Sequence, residues 1–140
     1  MALASNRKLK LKGSAGKRAH ATILTGQVIY KGALVVAPAA GTTVKVAANE
    51  TTTLFRGVAE NGPLTGDGTK ICEYSYDEIR LLPSTGLTAG NIGAQVYCLD
   101  DEKVCAAATF GPTCGQMVAL ESADLSWIWL RSGLVEANAS

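Results

Sequence analysis

Short apolar runs recur along this chain at intervals of about ten residues, separated by clusters of Gly, Pro, Asn, Asp and Ser. Ala21–Ile29 reads as the first strand, ending near Lys31-Gly32. Ala33–Ala37 sets Leu34, Val35 and Val36 in succession and is stopped by Pro38. Thr42–Ala47 alternates, with Val44 and Val46 on one face and Thr43 and Lys45 on the other. Thr51–Ala59 follows, then turns at Asn61-Gly62-Pro63 and Gly66-Asp67-Gly68. Lys70–Leu82 reads as one long strand in which Ile71, Glu73, Ser75 and Asp77 oppose Cys72, Tyr74 and Tyr76. Pro83-Ser84-Thr85-Gly86 ends it. Ala94–Leu99 and Lys103–Thr109 flank Asp100-Asp101-Glu102 as a hairpin, and Gly115–Leu120 and Leu125–Leu130 close the series. No stretch keeps a helical period over three turns. The pattern predicts an all-β fold, a single small β-sandwich or β-barrel domain over residues 21–131. An extended N-terminal arm over residues 1–20 and a C-terminal tail over 132–140 flank it.

In the arm, Arg7-Lys8-Leu9-Lys10-Leu11-Lys12 alternates polar with apolar, and Gly13-Ser14-Ala15-Gly16 breaks any helix. Charge is segregated. Arg7, Lys8, Lys10, Lys12, Lys17 and Arg18 give residues 1–20 a charge of +6, while the rest carries seven basic and twelve acidic residues, or −5. Such an arm docks on something anionic, whereas the acidic body repels nucleic acid. Termini are poorly ordered unless tied down, so a partner surface or a neighbouring subunit is expected to hold the arm. Its removal is expected to leave the body folded.

Composition narrows the classes further. At 47% hydrophobic and 18% charged residues, the chain is too apolar for wholesale disorder. No run of about 18 uncharged apolar residues exists, so no membrane-spanning helix is expected. No apolar stretch follows the basic residues at the front, so no secretory signal is expected either.

Candidate chemistry is sparse. The one histidine, His20, reads as a solvated group of the arm, since a general base needs a nucleophile and an orienting group beside it. Cys72, Cys98, Cys105 and Cys114 lack the Cys-x-x-Cys spacing of a zinc knuckle. They read as reduced, buried thiols, with a Cys98–Cys105 disulfide across the hairpin as the alternative. Asp77-Glu78 and Asp100-Asp101-Glu102 resemble a carboxylate site only superficially; the second, at the hairpin tip, reads as a solvated turn, with weak divalent-ion binding as the alternative. No catalytic residue, metal or cofactor is expected. Trp127-Ile128-Trp129-Leu130 is apolar on both faces, which implies a strand buried on both. Trp127 and Trp129 are therefore candidates for core packing or for an oligomer interface. Stacking on single-stranded nucleic acid wants basic neighbours, and only Arg131 is close.

Four segments together resemble a known family. They are Gly26-Gln27-Val28-Ile29-Tyr30-Lys31-Gly32-Ala33-Leu34-Val35-Val36, Phe55-Arg56-Gly57-Val58-Ala59-Glu60, Gly90-Asn91-Ile92-Gly93-Ala94-Gln95-Val96-Tyr97, and Gly115–Leu120 through to Leu130-Arg131. Over about residues 22–131 the chain resembles the head decoration, or capsid cement, proteins of tailed bacteriophages. It departs from their pattern in its four cysteines, its Trp pair and its long basic arm. The resemblance implies a non-enzymatic structural protein of the virion, made in the host cytoplasm. It would sit on the outer capsid surface as a homotrimer or dimer and bridge major capsid protein subunits. On this reading Arg7, Lys8, Leu9, Lys10, Leu11, Lys12, Lys17 and Arg18 form a capsid-binding arm. Leu9 and Leu11 would add a strand to a capsid sheet edge while the cations meet carboxylates. The alternative is a nucleic-acid-binding β-barrel whose basic arm contacts phosphates. Contact with a membrane is not expected.

Overall fold

The computed structural model describes residues 3–38, 42–48, 50, 52–109 and 111–132. The strands are β1 (Leu11–Lys12), β2 (Lys17–Ile23), β3 (Val28–Ile29), β4 (Leu34–Ala37), β5 (Thr43–Val46), β6 (Leu54–Ala59) and β7 (Leu64–Thr65), followed by β8 (Ile71–Tyr76), β9 (Glu78–Thr85), β10 (Gln95–Cys98), β11 (Val104–Cys105), β12 (Thr113–Ser122) and β13 (Leu125–Leu130). One 3-10 turn, Ala89–Asn91, interrupts them. The fold is all-β, as the periodicity predicts.

Two circuits of strands organise the chain. β2, β5, β4, β6 and β8 close into a barrel, with β2 and β5 parallel and the other pairs antiparallel. The second sheet runs β1-β9-β11-β10-β12-β13, and β13 returns to pair with β9, closing the pairings on themselves. β3 and β7 form a separate two-stranded ribbon.

Strand β4 shows why the sequence folds this way. All four of its residues are buried, and successive side chains point to opposite faces. Ala33 and Val35 join Ile23, Ile29, Val44, Ala59, Cys72 and Tyr74 inside the barrel. Leu34 and Val36 instead meet Phe55, Leu82, Val96, Met117, Ile128 and Leu130, a core shared between the barrel and the second sheet. An uninterrupted apolar run is what a strand with two buried faces requires.

Several boundaries move. The expected first strand divides into β2, which begins four residues earlier at Lys17, and β3; Gly26, at φ 88°, sits in the turn between them. The expected long strand Lys70–Leu82 breaks at Asp77, which adopts φ 62° and donates its N–H to Leu130 O at 2.8 Å. Asp is among the few non-glycine residues that tolerate this left-handed geometry. The break sends β8 into the barrel and β9 into the second sheet. β9 then runs on through Pro83 to Thr85 rather than ending there. The hairpin forms at the expected place, although β11 is only two residues long. Of the expected tail only Ser132 is described, and it is buried; residues 133–140 lie outside the described residues.

Candidate interaction site

Residues 3–20 are engaged by this chain's own body, whereas the arm was expected to need a partner surface or a neighbouring subunit. Leu9 is 8% exposed and belongs to the shared core. Burying a leucine contributes about 1.5–3 kcal/mol. Arg7 donates to three backbone carbonyls: Nε to Gly32 at 2.9 Å, Nη1 to Glu102 at 2.8 Å and Nη2 to Asp101 at 3.2 Å. Burial lowers its pKa, a shift opposed by Glu102, Asp101 and Asp100. Leu11 and Lys12 pair with Arg80 and Ile79 of β9, and Lys17–Ile23 is a barrel strand. Leu9 and Leu11 are thus already engaged, and of the eight expected arm residues Lys8, Lys10, Lys12, Lys17 and Arg18 remain exposed.

Gly32 makes this course possible. It sits at φ +89°, and a Cβ there would lie 2.5 Å from Arg7 Cγ and 2.6 Å from Arg7 O. Only glycine fits both the backbone conformation and the passing arm.

Beneath the arm lies a buried ionic lattice that the sequence pattern did not single out. Arg80, 13% exposed, meets Glu78 through Nε, Glu60 Oε2 through Nη2 at 3.1 Å and Leu9 O through Nη1 at 2.8 Å. Ser75 Oγ lies 2.6 Å from Glu60 Oε2 and 3.0 Å from Glu78 Oε2. Gly16 N–H donates to Glu78 Oε1 at 2.9 Å. Each carboxylate is therefore matched, as burial demands. The lattice joins arm, barrel and second sheet. Glu78 is 3% exposed. Lys17 and Arg18 belong to this region as well, with Lys17 Nζ 3.8 Å from Asp77 and Arg18 Nη2 3.5 Å from Glu60. Both cations are exposed, and such pairs contribute little.

The outward face of the second sheet is apolar. In β13, Ser126, Ile128 and Leu130 point into the core, while Leu125, Trp127 and Trp129 are half-buried on the other side. They stand opposite Pro83, Leu81 and Ile79 of β9, residue for residue. Cross-strand neighbours at this spacing touch, so six apolar side chains form one ladder. Two cations cap it: Lys12 Nζ lies 5.2 Å from the Trp127 ring centroid and Arg131 Cζ 4.9 Å from that of Trp129. Trp127 Nε1 donates to Glu121 at 2.9 Å. The chain itself thus buries the Ile128 and Leu130 face completely and the indole face by half.

The remaining candidates are dispersed. Cys72, Cys98, Cys105 and Cys114 are free and buried. The register sets Cys98 opposite Val104 and Tyr97 opposite Cys105, so Cys98 and Cys105 do not face each other. The thiol beside Cys98 is that of Cys114, whose hydrogen bond, together with burial, raises the Cys98 pKa. Burial pushes the Cys72 thiol up to about 12 and raises that of Cys105. No group of three or more His, Cys, Asp or Glu among the described residues is placed to hold a metal ion. His20 lies in barrel strand β2 opposite Glu73, not in a free arm, and lines a shallow depression with Arg18, Ala19 and Glu73. Within the acidic hairpin tip, Asp101 is 2% exposed and accepts the Leu3 N–H at 2.8 Å, so that tip is covered rather than solvated. Its carboxyl pKa is raised by burial. No helix of the described residues is long and apolar enough to cross a membrane.

No family model, curated protein or solved structure matches this chain. The N-terminal segment carried one sequence signal: Leu9 and Leu11, at alternate positions, marked a face to be buried. Which surface would bury it was not written in that period.

Proposed function

We propose that this chain is a structural, non-enzymatic protein that decorates the outer surface of a bacteriophage head and stabilises it by bridging major capsid protein subunits. Two things support the reading: the resemblance over residues 22–131 and the outward ladder of Leu125, Trp127 and Trp129 on Pro83, Leu81 and Ile79. The ladder is the observation that carries it. A contiguous apolar sheet face rimmed by cations marks a protein-contact surface, and aromatic anchors with arginine dominate such contacts. The ladder joins copies of the chain as a homotrimer or dimer. Exposed Lys8, Lys10 and Lys12 meet acidic capsid groups. Each exposed charge pair is worth about 0–1 kcal/mol, so retention depends on many copies bound at once. Four unpaired thiols suit synthesis in a reducing cytoplasm.

The test is add-back to purified heads that lack the protein, read by electron microscopy and co-sedimentation. Wild-type chain is expected to occupy the heads and raise their resistance to heat. The Trp127→Ser/Trp129→Ser variant is expected to fold but lose occupancy. Absence of wild-type binding refutes the reading. So does binding to duplex DNA that weakens steeply with salt, the mark of phosphate contacts.

A further inference from the structure

A cleft of about 270 Å³ runs between the N-terminal segment and the barrel wall. Arg7–Leu11 form one side; Lys31, Gly32 and Val58–Glu60 form the other, with Arg80 at the end. Five cations line it against one carboxylate, Glu60. Arg80 is neutralised by Glu60 and Glu78, and Arg7 is spent on backbone carbonyls. Lys8, Lys10 and Lys31 are exposed and form no ion pair among the described residues. The cleft thus keeps three uncompensated positive charges beside half-buried Leu11.

We infer that this cleft receives an extended acidic peptide segment of the capsid partner, an inference that rests on the function proposed above. Charge complementarity selects the sign of the occupant. The spacing selects its form: Lys8 and Lys10 are exposed on either side of buried Leu9, so they repeat at the two-residue period of an extended strand, about 6.6 Å. A segment with Asp or Glu at alternate positions matches the spacing of the cations. A nucleic acid matches less well. No aromatic side chain lines the cleft to stack a base.

The inference is tested by fluorescence anisotropy of the full chain with a labelled Gly-Glu-Val-Glu-Val-Glu-Gly peptide, its glutamine counterpart and a twelve-residue oligo(dT). Two charge-matched variants are compared: Lys8→Ala/Lys31→Ala in the cleft and Lys70→Ala/Lys103→Ala away from it. The glutamate peptide is expected to bind at least tenfold more tightly than the glutamine peptide at low salt. The cleft variant is expected to lose that margin while the distant variant keeps it, with circular dichroism unchanged in both. Equal binding of the two peptides, equal loss in the two variants, or tighter binding of oligo(dT) overturns the inference. The assay needs no capsid, so the two readings fail separately. Head occupancy without glutamate-peptide binding removes the cleft assignment alone; glutamate-peptide binding without head occupancy removes the decoration reading.

Discussion

Replacing Arg80 by Met tests the physical account of the arm and the lattice together. The substitution keeps an unbranched apolar stem but deletes the guanidinium that meets Glu78, Glu60 and the Leu9 carbonyl. Glu78 at 3% exposure then loses its cation without gaining water. Removing one partner of a buried ion pair costs about 3–5 kcal/mol, because a desolvated charge is left behind. At about 2.1 cal/mol/K per residue, a 140-residue chain unfolds with an entropy near 0.3 kcal/mol/K. The melting temperature should therefore fall by about 10–17 °C. Denaturant unfolding at pH 7, followed by circular dichroism, measures the loss directly. The Arg80→Met/Glu78→Gln pair supplies the control: glutamine keeps an oxygen for the Gly16 N–H and removes the stranded charge. The double variant should be more stable than the sum of the single losses predicts by about 1–3 kcal/mol. An Arg80→Met cost below about 1 kcal/mol with no coupling to Glu78 would show the lattice to be solvent-screened, and the reasoning would fail.

Three further outcomes follow from the geometry. Gly32→Ala should destabilise by at least about 1–2 kcal/mol in a thermal melt, since its φ of +89° and the Arg7 contact both exclude a Cβ; a neutral result would mean that the arm does not pass there. Deleting residues 2–18 removes Leu9, the Arg7 clamp, β1 and the start of β2, so the cooperative unfolding transition should be lost or moved by more than about 5 kcal/mol, opposite to the behaviour of a dispensable arm. Burial holds the Cys72 thiol near 12, against an ordinary 9.0. Between those values the folded chain keeps a proton that the unfolded chain releases. Stability should therefore fall as pH rises above 9, by up to about 1.4 kcal/mol per pH unit for this thiol, and Cys72→Ala should flatten the slope.

Local pattern was enough for part of the strand inventory. β13 occupies Leu125–Leu130 as its apolar run predicts, β4 and β5 lie within a residue of theirs, and the hairpin turns at Asp100–Glu102. Those features depend on side-chain alternation and turn chemistry, which neighbouring residues carry between them. The basic character of residues 7–12 was legible for the same reason.

The rest was settled by contacts between distant residues. Arg80 meets the Leu9 carbonyl across 71 positions, and Asp101 meets the Leu3 N–H across 98. Nothing in the local run Lys70–Leu82 marks Asp77 as the crossing point, because the left-handed turn is stabilised by Leu130 O from another strand. An apolar alternation states that a face will be buried but not against what; the arm's face turned out to cover this chain's own core, while the indole face is only half-buried. The alternation of buried and exposed positions within a strand was thus determined by the sequence alone, since its period is a property of adjacent side chains. Which charges are buried and which apolar face is exposed was decided only by the tertiary structure, because the energy of a buried charge or side chain depends on partners that folding brings together.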